Sequence, residues 1–84
     1  MAEALTKDQI TEKVVKVVCN QLQVEKSEVK PASLFVDDLG ADSLDLTELA
    51  VAFEDEFEIE IPEADFGQLS TVAGVVEYIA GRLA

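Results

Sequence analysis

The residues best equipped to do chemistry lie in one run, Asp37-Asp38-Leu39-Gly40-Ala41-Asp42-Ser43-Leu44-Asp45, where a serine hydroxyl sits among four aspartates. What that chemistry can be is bounded by what the chain lacks. With no histidine and a single cysteine, Cys19, the sequence holds no Ser-His-Asp triad, no Cys-His pair and no set of zinc ligands. Carboxylates are plentiful, but acids strewn over a helix surface read as a solvated face. A calcium loop fails on register, because an EF-hand needs oxygen ligands at its first, third and fifth positions and glycine at its sixth. Aligning Gly40 with that glycine puts Phe35 first. The residues therefore predict no active site and no metal site, and leave Ser43 as a hydroxyl at the start of a helix.

That helix is the most sharply patterned of the chain. Leu46, Leu49, Ala50, Phe53 and Phe57 recur at i, i+3, i+4, i+7 and i+11, the spacing of one buried stripe, which predicts a helix over about Ser43 to Glu58. Asp42 and Ser43 are both favoured N-cap residues, and a cap needs only one of them. The opposite face carries Leu44, Glu48, Val51 and Asp55, flanked by Asp45, Thr47, Glu54 and Glu58. Two aliphatic side chains are thus predicted outside, framed by carboxylates.

Gly40-Ala41-Asp42-Ser43-Leu44-Asp45, with Asp38-Leu39 before it and Glu48-Leu49 after it, resembles the prosthetic-group attachment motif of acyl carrier proteins. The similarity runs from about Ile10 to Ile79, through Phe53-Glu54-Asp55-Glu56-Phe57, Ile61-Pro62 and Glu77-Tyr78-Ile79. The resemblance implies a free-standing carrier of the type II fatty acid synthesis kind, with no catalysis of its own. A phosphopantetheinyl transferase would move phosphopantetheine from coenzyme A to Ser43, and the thiol of the arm would hold growing acyl chains as thioesters. A small docking face, Asp42, Leu44, Asp45, Thr47, Glu48, Val51, Glu54 and Asp55, would meet that transferase and the fatty acid synthesis enzymes through their basic patches. An acyl pocket between the second and third helices would include Phe53, Ile61, Phe66 and Leu69, each of which is equally well explained as ordinary core. Thr47 and Val51 replace the Val and Met of many members, and Phe66 is bulkier than many members have there. Carriage for polyketide or other specialised acyl transfer is the alternative, and a non-carrier acidic helical adaptor is the rival from another class.

Physics suits the attachment point. A helix N-terminus offers unpaired N–H groups and the positive end of the macrodipole, so it tolerates a phosphodiester anion. The neighbouring acids oppose that anion and favour an arm that projects into water.

Eighty-four residues, 49% of them apolar, predict one folded domain over 1–84 with its core at about 6–83. Six basic residues against eighteen acidic ones give a formal charge of −12, which opposes nucleic acid and anionic membrane surfaces as partners. Self-repulsion lowers stability, so magnesium or added salt is expected to raise the melting temperature. A flat or falling melting temperature across a magnesium titration would refute this. The sequence shows neither a membrane-length apolar run nor the regions of a signal peptide, and a cytoplasmic monomer is the expectation.

The scaffold follows from the remaining patterns and is expected to be all-α: a small bundle of three longer helices and a short third one, with a long loop between helices one and two. After a short frayed tail, Met1 to Leu5, Thr6 and Gln9 form a capping-box pattern and helix one runs to about Leu22, burying Ile10, Val14, Val17, Val18 and Leu22. Cys19 falls on its far face, as an exposed thiol. In the loop from Gln23 to Asp42, Val24, Val29, Leu34, Phe35 and Leu39 are expected to pin the chain to the core, with a helical turn around Pro31 to Phe35. Gly40 permits a turn that brings Ser43 to the tip. The alternating Glu58-Ile59-Glu60-Ile61 is expected as an extended linker, with a brief helix over Glu63 to Gly67 after Pro62. The fourth helix begins after Ser70 or Thr71, buries Val72, Val75, Val76, Ile79 and Leu83, and is weakened at Gly74 and Gly81 by about 1 kcal/mol each.

Overall fold

Each long helix begins where a side chain can take over the backbone donors that no helical carbonyl reaches. In the computed structural model, which describes residues 5–83, α1 spans Lys7–Leu22 behind a reciprocal capping box. The Gln9 N–H donates to the Thr6 hydroxyl at 3.1 Å, and the Thr6 N–H donates to the Gln9 side chain at 2.9 Å. The frayed tail expected over Met1 to Leu5 lies outside the described residues except for Leu5. A second helix, α2, spans Ser43–Phe57, and α3 spans Val72–Leu83. Between them Glu63–Gln68 forms a short 3-10 helix behind Pro62, one residue longer than the sequence suggests. Among the described residues the fold is thus three long helices and one short one, besides a single 3-10 turn in the long loop.

α1 is the central element, packing against both α2 and α3. Its stripe of Ile10, Val14 and Val18 meets Leu49, Ala50, Phe53 and Phe57 of α2 and Val72, Val75, Val76 and Ile79 of α3 in one buried cluster. Val17 and Leu22 are only half-buried at its edge. Lys13 pairs with Glu56 at 3.0 Å and Lys7 with Glu77. Such exposed pairs add at most about 1 kcal/mol each, so burial of the stripes holds the bundle.

The long loop departs from expectation in two places. Its helical turn is a 3-10 turn at Lys26–Glu28, in which the Glu25 N–H donates to the Glu28 carboxylate and the Glu28 N–H to the Glu25 carbonyl, whereas Pro31 to Phe35 makes turns and a bridge. Leu34 does not pin the loop by its side chain, which is exposed. Its backbone forms an isolated antiparallel bridge with Thr71. Around that bridge the N–H of Phe35 donates to Ser70 O, that of Val72 to Ser33 O and that of Ala73 to Pro31 O, at 2.9 to 3.2 Å. On α1, Cys19 is half-buried and not exposed.

Two glycines in α3 make opposite demands. A Cβ on Gly74 would stand 2.8 Å from the Gln68 carbonyl oxygen and 3.0 Å from the Thr71 hydroxyl, so the approach of the 3-10 helix to α3 requires glycine there. A Cβ on Gly81 would meet nothing within 4 Å. Gly81→Ala is therefore expected to stabilise by up to about 1 kcal/mol through helix propensity, whereas Gly74→Ala is expected to destabilise despite the same propensity gain. Urea midpoints for the two variants check the pair, and a shift of the same sign for both would refute the packing argument.

Tyr78 closes the same junction. Its hydroxyl donates to Asp65 at 2.5 Å, linking α3 to the 3-10 helix, while Arg82 lies over the ring. Donation to Asp65, then burial and the carboxylate's charge, push the phenol above its ordinary value near 10, with Arg82 working the other way. The fold thus favours neutral Tyr78. Its contribution is complete below the unfolded value and is lost as pH rises through the raised folded one. Tyr78→Phe is expected to lower stability by about 1 kcal/mol at neutral pH and to flatten the alkaline decline measured by urea midpoint. An unchanged alkaline slope would exclude this bond as its source.

Candidate functional site

The site is built at the point where the loop hands over to α2. Asp38 turns the chain, accepting the Leu34 N–H on its carboxylate at 2.8 Å while its own N–H donates to Leu34 O at 2.9 Å. Gly40 then takes a positive φ of 75°, a conformation that side-chain-bearing residues seldom adopt. The Ala41 N–H reaches Phe35 O at 2.8 Å, and Ala41 is buried. The backbone arrives at residue 42 with little freedom left.

Asp42, not Ser43, is the cap. Its carboxylate accepts the Asp45 N–H at 2.9 Å, and the Asp45 carboxylate returns the favour to the Asp42 N–H at 3.1 Å. Ser43 is the first helical residue, is exposed, and its hydroxyl makes no hydrogen bond among the described residues. Its carbonyl is held by the Thr47 hydroxyl at 3.1 Å. The N–H groups of Ser43 and Leu44, in the first turn, have no carbonyl partner within α2. A hydroxyl free to react beside unpaired donors fits a phosphodiester, whose anion those donors and the helix dipole can face.

Around this point the structure sorts the expected residues. Leu44 is 65% exposed and Val51 50%, and Asp42, Thr47, Glu48 and Asp55 are exposed beside them. Asp45 is half-buried, engaged in the cap. Glu54 is committed elsewhere: its carboxylate accepts the Ile61 N–H at 2.7 Å and its carbonyl accepts the N–H groups of Glu58 and Ile59. It secures the exit of α2, where Glu58 turns left-handed at φ 54°. Val36, 53% exposed in the turn that leads to Gly40, is an apolar surface residue that sequence reasoning passed over. Its apolar neighbours Leu34 and Phe35 masked any alternation that would have marked it.

A groove of about 190 Å³ opens beside Ser43, lined by Phe35, Leu46, Thr47, Leu49, Ala50, Phe66 and Leu69. Of the four residues expected at an acyl pocket, Phe66 and Leu69 line it. Phe53 and Ile61 do not, and both are buried in the core. A larger cleft of about 710 Å³ lies along α1, lined by Val15, Cys19 and Val24 with Lys13, Lys16 and Lys26, and does not include Ser43.

Charge divides the same way. Every lysine precedes Pro31, whereas Arg82 is the one cation after it and most of the acids lie there, including all those flanking Ser43. The face presented by α2 is thus strongly negative. No group of three or more His, Cys, Asp or Glu side chains is arranged to hold a metal among the described residues, and no helix there is long and apolar enough to cross a membrane.

A family model described as "Phosphopantetheine attachment site" matches residues 12–79, from the first turns of α1 to the last buried residue of α3. An exposed serine hydroxyl at a capped helix start, inside a match that spans most of the chain, places this protein in the phosphopantetheine-attachment family, as an acyl carrier with covalently held phosphopantetheine as its prosthetic group.

Proposed function

We propose that Ser43 is the attachment residue and that the protein delivers growing acyl chains to the enzymes of fatty acid synthesis, within one carrier domain over 1–84. The observation that supports this reading best is the division of labour at the start of α2. Asp42 takes the capping role that would otherwise explain the serine, so the free Ser43 hydroxyl is left for chemistry. In loading, the Ser43 oxygen gives its proton to a base of the transferase and bonds the phosphorus at the pantetheine end of the coenzyme A pyrophosphate. The bond from that phosphorus to the bridging oxygen breaks, and 3′,5′-ADP leaves. The group so attached supplies a thiol that holds the acyl chain as a thioester.

The chain's own part is presentation. Gly40 and the Asp42–Asp45 cap hold Ser43 at an exposed tip. Leu44 and Val51 offer a small apolar contact, and Asp42, Glu48 and Asp55 steer basic partners toward it. So little apolar area allows fast release, which a carrier passing between enzymes needs. Asp45 and Glu54 serve this face through the local structure they hold. The apolar groove beside Ser43 receives the acyl chain, with Phe53 and Ile61 as the core behind it. Exposed Thr47 and half-exposed Val51 give this face less apolar bulk than many carriers have, which supports specialised acyl transfer as the second reading.

Incubation with coenzyme A and a broad-specificity phosphopantetheinyl transferase, followed by intact-mass spectrometry and peptide mapping, tests the attachment. One phosphopantetheine on Ser43 is expected. A folded sample that gains no mass would refute the reading. Transfer of a malonyl or acyl group onto the loaded protein by fatty acid synthesis enzymes, against polyketide ones, separates the two pathways.

A further inference from the structure

We propose that the cleft along α1 is a second ligand site, which takes a single-chain anionic amphiphile of the fatty-acid class. Lys16 and Lys26 hold its anionic head, and Val15, Cys19 and Val24 form the apolar wall for its chain. Ser43 is not part of this site, so the inference does not rest on the carrier reading. At about 710 Å³ the cleft falls in the range of about 300–1,000 Å³ that small-molecule sites occupy.

The cations point to an anion. With six basic residues against eighteen acidic ones, an exposed lysine in this chain has acids in excess to pair with. Lys7 pairs with Glu77 and Lys13 with Glu56. Lys16 and Lys26 are exposed and form no ion pair among the described residues, although Glu12 and Glu25 share the lining of the cleft with them. Three of the six basic residues, Lys13, Lys16 and Lys26, line this one cleft, and no residue of the acidic α2 does. Two ammonium groups without an ion pair are donors for a carboxylate, through charge-assisted hydrogen bonds. The formal charge of −12 repels anions at a distance, but screening limits that field to about 8–10 Å at ordinary ionic strength. Close to the cleft, the lysines decide.

The wall points to a chain behind that anion. Val15, Cys19 and Val24 are half-buried, packed on one side against the core and lining the cleft on the other. Leu5 does the same just ahead of α1. The methylene stems of Lys13 and Lys16 extend this wall while their ammonium groups stay in water. From Gln9 to Asn20 the cleft follows α1 for about 16 Å, at the helical rise of about 1.5 Å per residue. A small inorganic anion would leave the wall in water, and a neutral hydrocarbon would leave the lysines without a partner. A carboxylate with an alkyl chain meets both demands.

Titration of the full, unmodified chain with laurate, kept below its micelle concentration, tests the site through amide chemical shifts. Shifts are expected along the outer face of α1 and at residues 24–26. Laurate is also expected to slow alkylation of Cys19 by N-ethylmaleimide, because the thiol belongs to the wall. Lys16→Gln and Lys26→Gln are each expected to weaken laurate binding about tenfold. Lys16→Arg, which keeps the charge, and Lys30→Gln, which removes an exposed lysine outside the cleft, are expected to leave it little changed. Dodecyltrimethylammonium, a chain without the anion, and acetate, an anion without the chain, are expected not to bind. Shifts confined to Leu46, Phe66 and Leu69 would put laurate in the groove beside Ser43 and overturn the inference. Equal binding of the cationic amphiphile, unchanged affinity in both glutamine variants, or no response to laurate would overturn it as well. Phosphopantetheine loading is read separately by mass, so the failure of either reading leaves the other standing.

Discussion

Ser43→Ala is expected to abolish phosphopantetheine addition outright while leaving the urea midpoint almost where it was. The two halves of this result have separate causes. Addition needs an oxygen nucleophile at that position, and alanine has none. Stability hardly depends on the hydroxyl, because the capping bond is made by Asp42 to the Asp45 N–H and Ser43 lies one residue inside the helix, exposed and unbonded. Surface substitutions of this sort usually fall within about 0.5 kcal/mol of neutral, and alanine has the better helix propensity. Intact mass after incubation with coenzyme A and transferase reads the first half, and urea denaturation followed by circular dichroism reads the second. Residual addition in the variant would move the attachment to another hydroxyl. A loss of more than about 1 kcal/mol, the scale of a lost cap, would show that the serine is structural.

Phe53→Ala is expected to have the largest effect on stability. Phe53 is 1% exposed, on the α2 stripe that faces α1, and truncating such a ring removes its transfer free energy and leaves a cavity. The loss is about 3–5 kcal/mol, against a total of about 4–13 kcal/mol for a chain of this length. With a formal charge of −12 opposing compaction, the chain is expected near the low end of that range at low salt. The variant should therefore be substantially unfolded in dilute buffer and should regain helical signal as magnesium is added. In urea at moderate salt its midpoint should fall by roughly 1.5–5 M, for a slope of about 1–2 kcal/mol/M. A shift of a few tenths of 1 M would mean that neighbouring side chains collapse into the space.

The residues that made the long helices visible in the sequence are the same ones that bury. The stripes of Ile10, Val14 and Val18, of Leu49, Ala50, Phe53 and Phe57, and of Val72, Val75, Val76 and Ile79 are local patterns, and helical spacing makes them legible. The Thr6 and Gln9 capping box is likewise local. Asp42 and Ser43 were ambiguous because both residue types cap well, and only the extended backbone of Asp42, with ψ at −175°, decides which side chain can turn back. Leu34 looked like a core residue by type. Its orientation is set by pairing with Thr71, a contact between distant parts of the chain that no local pattern encodes. Glu54 was placed by helical angle on the flank of the outer face, but the return of the chain at Ile61 brings a backbone donor to its carboxylate. The groove was half legible for a similar reason: the family resemblance implied four residues, and only packing separates Phe66 and Leu69 on its wall from Phe53 and Ile61 behind it.

The Leu34–Thr71 bridge also has a bearing on the order of events in synthesis. The loop that aims Ser43 is fastened to Ser70, Val72 and Ala73, residues that leave the ribosome well after Ser43 itself. Contacts between distant segments cannot form until both have emerged, and they close late because bringing them together costs chain entropy. A nascent or shortened chain that ends before Thr71 can therefore contain the whole attachment run and still lack the clasp that presents it.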